Sequence, residues 1–449
     1  MEIRRSLGGG SSTNKVKNKM TLSEIKTKIN KTIDEYKKDI ISAGEWVLEH
    51  AELGYHEEQT SAFVRERFAS LDMEFEYPLA LTGVKGMLKG KSENINVCII
   101  GEMDAIKCVG HPSANTDGIA HACGHHAQIA AMLGVATALK QSGVMEYLDG
   151  NVTFFAVPAE EFIDLEYRKA LKDSGNIVAF GGKQQLIAEG AFNNIDMAMM
   201  IHAQPNEEKP KIYVQGYNLG FCAKTITFHG KTAHGSTPYD GTNALNAAAL
   251  AILGIHSNRE TFRDEERIRI HPIITKGGDV VNSVPDEVCI NTYVRGASAE
   301  AIHKGSDTVH RAVHGAAQMI GAEANIESIS GYLPLKEDDS LNDIFIRNAS
   351  EILGQEHIVS GKEIVGSTDM GDLSHIIPVI QPSIGGFSGG LHTKEFSVTD
   401  KTTAYVKSAQ ILANTVAELL YDGACIGCKI KDNFVPQMTK EEYIEYLKG

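Results

Sequence analysis

The sequence predicts an α/β fold into which a smaller α+β unit of ferredoxin-like order is inserted. Three observations carry that reading. Three continuously apolar runs of strand length, at 95–100, 152–157 and 197–201, each end in residues able to bind a metal. Such runs are expected of strands covered on both faces, and ligand sites in open α/β sheets lie just beyond strand C-termini. Between 214 and 332 the order of elements becomes β-α-β-β-α-β, that of a ferredoxin-like domain. After 333 helices and strands of the first kind resume.

Taken in order, 22–50 spaces Ile25, Ile29, Ile33, Ile40, Ile41 and Val47 mainly three and four apart, as an amphipathic helix does. A second helix over 57–71 turns Phe63, Val64, Phe68 and Leu71 inward. Short strands near 74–77 and 86–88 precede the stronger one at 95–100, which closes in Gly101-Glu102-Met103-Asp104. His121-Ala122-Cys123-Gly124-His125-His126 then leads into an apolar helix that stops near Gly143. The strand at 152–157 closes in Pro158-Ala159-Glu160-Glu161, 162–191 reads as helix, loop, helix, and 197–201 ends on His202-Ala203-Gln204-Pro205. In the inserted unit, strands at 221–228, 268–275, 288–294 and 325–329 accompany helices at 243–256 and 299–321. Beyond it come helices at 341–353 and 370–376, a strand at 379–384 and a long helix at 399–420. The division implied is a disordered leader or tag (1–20), a catalytic domain in two parts (21–213 and 333–429), the inserted unit (214–332), and a polar tail (430–449) with a helical stretch at 440–447.

Composition narrows the partners. A chain of 449 residues supports two domains, and 42% hydrophobic with 22% charged residues describes a globular protein with a sizeable core. The net charge of −15 argues against nucleic acid or an anionic membrane. Seven cysteines, an odd number thinly spread, suit a reducing compartment better than a disulfide framework. No apolar run reaches the roughly 18 residues of a membrane span, and the Gly-Ser-Lys-rich start lacks the apolar core of a signal peptide. The cytoplasm is the expected location.

The hexapeptide at 121–126 is the centre of the chemistry. Cys123 and His125 cannot share one helix face, because a two-residue step turns the chain by about 200°. In a turn just before a helix they can converge, and Gly124 gives that turn its freedom. Glu161, His202 and His392 supply the ligand types a metal there would still need, the last in the loop Gly389-Gly390-Leu391-His392. One thiolate, three imidazoles and a carboxylate suit zinc, manganese, nickel or cobalt. Five ligands exceed the needs of one tetrahedral ion, and with a bridging group they can hold two ions. Glu160 and Glu161 are neighbours and diverge, so one can bind metal while the other serves as general base. That division is what metal-assisted hydrolysis requires.

His-Ala-Cys-Gly-His, Pro-Ala-Glu-Glu, His202-x-x-Pro205 and Leu391-His392-x-x-x-Phe396, in this order, resemble the aminoacylase and carboxypeptidase G family of metallopeptidases. Within it they resemble the amidohydrolase branch of hippurate, auxin-conjugate and aminobenzoyl-glutamate hydrolases, over about 22–420. The resemblance implies two divalent ions, zinc or manganese first, on Cys123, His125, Glu161, His202 and His392, with Cys123 bridging. It also implies Glu160 as base and Asp104 as the carboxylate that orients a ligand. Gly230-Lys231-Thr232-Ala233-His234-Gly235 resembles the family's lid motif, whose His acts in a partner subunit's site. The working form would then be at least a homodimer. Asn282 and Arg295 match positions facing a substrate carboxylate. The reaction implied is hydrolysis of N-acyl amino acids or related conjugates; a dipeptidase or another amide hydrolase is the alternative, and a non-catalytic metal-binding scaffold the rival of a different class.

Some residues depart from the branch. His126 stands where Asp or Asn is usual and reads as a helix cap or a wall residue. Ile106-Lys107 replaces Leu-Pro, and 162–182 is longer. Glu102, where more distant relatives carry a ligand His, reads as a surface carboxylate, with a metal contact as the alternative. Cys425-Ile426-Gly427-Cys428 reads as a loop with two free thiols, and Cys98, Cys222 and Cys289 as residues of strands.

Overall fold

The computed structural model describes residues 20–205, 211–361 and 366–448. The expected leader, apart from Met20, lies outside these residues. The main sheet runs in the order Glu74–Leu79, Gly83–Leu88, Asn151–Val157, Asn96–Glu102, Met197–Met199, Val379–Ile380. Its last four strands are parallel, and the first two extend it antiparallel at one edge. Every residue of Asn151–Val157 is buried, which is why that run carries no alternation.

The helix His125–Ser142 is buried along nearly its whole length. It packs on the strand Asn96–Glu102 and on the helices Leu22–Glu35, Lys37–Glu49 and Ser408–Leu420. A helix covered on all sides has no polar stripe. The contacts are close: a Cβ on Gly134 would lie 2.9 Å from the Cβ of Ala409.

Several expected elements are divided, and proline explains two of the breaks. The stretch 268–275 becomes Arg269–Ile270 and Ile273–Lys276, on either side of Pro272, which has no N–H to give the ladder. The stretch 379–384 splits at Pro382: Val379–Ile380 stays in the main sheet, while Ser383–Ser388 pairs with His202–Pro205 in a second sheet. The helix expected over 22–50 breaks at Tyr36 (φ −93°), leaving Ile33 and Ile40 both buried. The long helix at 399–420 starts as a π-helical turn, Thr402–Lys407.

One reading of the C-terminal part is corrected. Cys425 and Cys428 sit on a helix, Cys425–Asn433, because positive φ angles at Asp422, Gly423 and Ala424 end one helix and start the next. Both thiols are free. The tail is docked by its helix Lys440–Lys448: Tyr443 is fully buried and its hydroxyl donates to Asp372 Oδ1 at 2.8 Å. Tyr443 and Leu447 are buried and Tyr446 packs beside them, so a polar composition conceals the docking.

Residues 220–330 form a separate antiparallel sheet, ordered Arg269–Ile270, Glu287–Gly296, Gly220–His229, Glu323–Ser330. The helices Ala244–Ser257 and Ala299–Ile320 pack with it around a core of Ile226, Phe228, Val288, Ile290, Val294 and Val309. Phe221 and Tyr293 instead join Phe162 and Tyr332 on the main body.

Glycine packing is testable at two sites. A Cβ on Gly182 would fall 1.7 Å from the carbonyl oxygen of Pro158, whereas one on Gly315 would meet nothing within 4 Å. Gly182→Ala should cost about 3 kcal/mol in urea unfolding, at the upper end of overpacking losses. Gly315→Ala, in the middle of a helix, should stabilise by up to about 1 kcal/mol. Equal effects at the two sites would contradict the packing described.

Candidate metal centre

Three strand ends and one loop meet at a cavity of about 580 Å³. Cys123, Glu160, Glu161, His202 and His392 all line it. Gly124, at φ 90°, closes the turn before the helix His125–Ser142; a Cβ there would lie 2.4 Å from that of Ala203. The turn therefore brings Cys123 against the strand that begins at His202. Cys123 Sγ lies 3.6 Å from His202 Nε2.

The imidazoles are held by their other nitrogens. His125 Nδ1 faces the Asp104 carbonyl at 2.9 Å and Asp104 Oδ1 at 3.0 Å, so it is the protonated nitrogen. His202 Nδ1 donates to the carbonyl of Ala203 at 2.9 Å. In both rings Nε2 is left to face the cavity, the arrangement that metal-binding histidines adopt. His392 is exposed, at φ 62°, and its backbone N–H donates to the Ala122 carbonyl at 2.8 Å.

Two groups of three donors share Cys123: Cys123, His125 and His202, and Cys123, Glu161 and His392, each with its atoms within 4.8 Å of one another. His392 Nε2 lies 3.0 Å from Glu161 Oε1, and His125 Nε2 3.2 Å from Glu102 Oε2. Neither proximity has hydrogen-bond geometry, and Glu161 Oε1 and His125 Nε2 are buried without a hydrogen-bond partner. Unpartnered buried donor atoms converging with a thiol and a third imidazole fit divalent cations.

The electrostatics agree. Burial opposes a charge on His125, yet Glu102 and Cys123 raise its pKa well above the usual value. A field that favours a proton on Nε2 also favours a cation beside it. Burial and the Glu161 carboxylate push the Cys123 thiol up, so a cation is what would make it a thiolate. Glu160 is raised well above the carboxylate range by burial, then by Glu102, Glu161 and Asp369.

The turn that presents the two glutamates is clamped on every side. Ala159 sits at φ 54°, a strained position for a non-glycine residue. Its N–H donates to Glu57 Oε1 at 2.8 Å, and its carbonyl accepts from Gly182 N at 3.0 Å and Arg168 Nη1 at 3.4 Å. The Glu160 carbonyl accepts from the Tyr332 hydroxyl. The Glu161 N–H donates to Asp104 Oδ2 at 2.8 Å. Glu57 is buried and raised to about 8 by burial and Asp104.

Glu102 is not the expected surface carboxylate. It is fully buried, with Oε1 2.5 Å from Lys183 Nζ and Oε2 accepting from Gln128 Nε2 at 2.8 Å. Its strand ends inside the body, so the residue leaves the sheet into the interior. Lys183, equally buried, also contacts Asp369 Oδ1 at 2.5 Å. Burial opposes the ammonium, but Asp369 and Glu102 raise its pKa. Lys183, Asp369, Glu57 and Arg168 escape a sequence reading, since an isolated charge beside glycine or in a helix looks solvated. The one available signal was Glu102, directly after a run of buried apolar residues.

His126 is corrected too. Gly124 occupies the N-cap position, and His126 is fully buried against Tyr405 and Phe387 with both ring nitrogens unpartnered. Burial and its histidine neighbours hold it neutral. Three expected site residues stand apart from the donor groups. His234 and Asn282 are exposed and do not line the cavity; His234 Nδ1 meets Ser236 Oγ at 2.7 Å, and the Asn282 carbonyl accepts from Gly235 N at 2.7 Å. Arg295 is half-buried and donates at 3.0 Å to Ser367 Oγ, on the cavity wall.

The sequence pattern of peptidase family M20/M25/M40 matches residues 98–418. A human Xaa-Arg dipeptidase is 27% identical over 349 residues, 74% of this chain and 73% of that protein. The N-acetyl-L-cysteine deacetylase of Bacillus subtilis is 24% identical over 414 residues, 89% of this chain and 92% of that one. A dinuclear metal-binding peptidase of Bacillus subtilis has a similar fold, with a TM-score of 0.67 at 23% identity over 86% of this chain and 99% of its own.

The Lys183 contacts carry a prediction. Lys183→Met would leave Glu102 and Asp369 buried without their shared cation, at a cost of about 3–5 kcal/mol. Adding Glu102→Gln should restore part of it. Urea unfolding of metal-stripped protein gives the comparison, and a loss below about 1 kcal/mol would mean the two contacts are not formed.

Proposed function

Because the chain belongs to peptidase family M20/M25/M40, we propose that it is a two-ion amidohydrolase cleaving N-acyl amino acids or closely related peptide-like conjugates. The observation that carries this reading is the pair of donor groups sharing Cys123, with Glu160 beside them. Cys123, His125 and His202 would hold one ion, and Cys123, Glu161 and His392 the other. Zinc or manganese suits this mixture of thiolate, imidazole and carboxylate. When bound, the ions supply a Lewis acid for the carbonyl oxygen and lower the pKa of water.

The protein's own groups do the rest. Glu160 accepts a proton from the attacking water and delivers it to the leaving nitrogen. Asp104 keeps the His125 ring turned, with Nε2 toward the cavity. Arg295, anchored at the rim by Ser367, and Asn282 take the substrate carboxylate. His234 of the partner subunit donates to the carbonyl oxygen as it gains charge. The exposure of His234 and its distance from the cavity lining of its own chain support that assignment.

In this reading 214–332 is the lid and dimerisation unit, 21–213 and 333–429 the two parts of the catalytic domain, and 430–449 a tail docked on it. A homodimer acting on a small carboxylate-bearing substrate in the cytoplasm is the form we infer. Seven free thiols support a reducing compartment. Among the described residues no single helix is long and apolar enough to cross a membrane. Dipeptides are the second substrate class, favoured by the similarity to the human dipeptidase. The intact donor set and Glu160 argue against a non-catalytic scaffold.

The assay is metal-stripped protein, reconstituted ion by ion and screened on N-acyl amino acids and dipeptides. Glu160→Gln should keep both ions while lowering turnover by about 10²–10⁴-fold, because only proton transfer is lost. Near-normal turnover in that variant would remove Glu160 from the base role.

The trans role of His234 is tested by mixing variants. Homodimers of Glu160→Gln or of His234→Ala have only defective sites. A dimer of one chain of each contains one complete site of two and should recover about half of wild-type activity. Differently tagged chains purified through both tags make the measurement. No recovery would place His234 in its own chain's site.

A further inference from the structure

Away from the metal centre, four arginines from residues 259–269 converge on a cavity of about 770 Å³. Its basic lining is Arg259, Arg263, Arg267, Arg269 and His271, and its only acidic lining residue is Asp264. The sequence contains no such excess: residues 259–271 hold four arginines and one histidine beside four acids, Glu260, Asp264, Glu265 and Glu266. The fold gathers them. Two 3₁₀ turns, Arg259–Thr261 and Asp264–Glu266, reverse the chain and bring the arginines to the rim of one cavity, with Arg267 at φ 48° between the second turn and the strand.

Two of the acids have partners: Glu265 Oε1 lies 3.8 Å from Arg263 Nη1, and Glu266 is held outside the cavity. Glu266 accepts from Lys304 Nζ at 2.8 and 2.9 Å and from the Arg263 backbone N–H at 2.9 Å. Among the described residues neither Arg259 nor Arg269 has an ion-pair partner. Arg269 also stands directly opposite Arg295 in antiparallel register, and like charges so placed repel. A chain of net charge −15 thus keeps a cavity with five basic side chains against one acid, two of its arginines unpaired.

We infer that this cavity is a binding site for a small polyanion, a phosphate ester or a polycarboxylate, whose oxygens fork onto Arg259, Arg263 and Arg269. Guanidinium groups match such oxygens in pairs, and two or more negative charges are needed to balance the lining. The site touches the route into the metal centre. Leu219 lines the arginine cavity, its carbonyl accepts from Ser367 Oγ at 2.6 Å, and Ser367 lines the metal-centre cavity.

The test is isothermal titration calorimetry on metal-stripped full-length protein, so that anions cannot bind through a metal. Inorganic phosphate and tricarballylate are titrated separately, with acetate as the monoanion control. One of the two polyanions should bind at one equivalent with Kd at or below about 1 mM, and which one does so identifies the ligand class. Arg259→Ala/Arg269→Ala should weaken it about tenfold or more, while Lys429→Ala, on another surface, leaves it unchanged. All of these side chains are exposed, so the variants should fold; thermal melts without anion check this, and Arg263→Gln provides an independent second variant. Binding of neither polyanion, acetate binding equally well, or binding undiminished in both arginine variants would overturn the proposal.

Discussion

The centre depends on Asp104. One carboxylate, at the C-terminal end of the central strand, receives His125 Nδ1 on one oxygen and the Glu161 backbone N–H on the other. It therefore fixes an imidazole from the start of a helix and a carboxylate from the turn of a neighbouring strand in one frame. Burial works against its charge, but His125 and the Glu161 N–H outweigh it and hold the pKa at about 2. Asp104 stays ionised wherever the protein is folded near neutral pH.

Around that tie the protein accepts unfavourable local states. Ala159 is held at positive φ, Glu57 and Arg168 are buried to hold it there, and Lys183 is sealed between Glu102 and Asp369. Buried charge of this kind adds little net stability, since desolvation offsets attraction. What it gives is rigidity: each partner is costly to move, so Glu160 and Glu161 point in fixed, divergent directions. Asp369 also anchors the segment whose Ser367 forms part of the cavity wall. Asp372, three residues on, takes the Tyr443 hydroxyl, which extends the support to the C-terminal helix.

The sheet of residues 220–330, with its own core, meets the main body beside the cavity. Phe162, Phe221 and Tyr332 pack at the junction, and Arg295 and Ser367 meet there. His234 and Asn282, on adjoining turns of that body, face solvent. The linker at Leu219 adjoins both the arginine cavity and the metal-centre wall, so the two recognition regions share a short stretch of backbone.

Much of this was legible in the residues. Continuous apolar runs mark strands covered on both faces, and the ligand types at their ends mark where chemistry gathers, because strand C-termini in such sheets open onto one edge. Cys123, His125, Glu161, His202 and His392 were recognisable from residue type and local motif, and Glu160 from its adjacency to Glu161. Only tertiary structure could decide the rest. Glu102, Lys183 and Asp369 are far apart in sequence, and a charged residue carries no local mark of its burial; its partners exist only once the segments meet. His126 became a neutral core residue because Tyr405 and Phe387 arrive from the far end of the chain. The charges of 259–271 balance in sequence, yet four arginines and one acid line a single cavity, since two tight turns decide which residues reach it. Spacing within a segment is written locally, whereas burial, pairing and the sorting of charge belong to the folded whole.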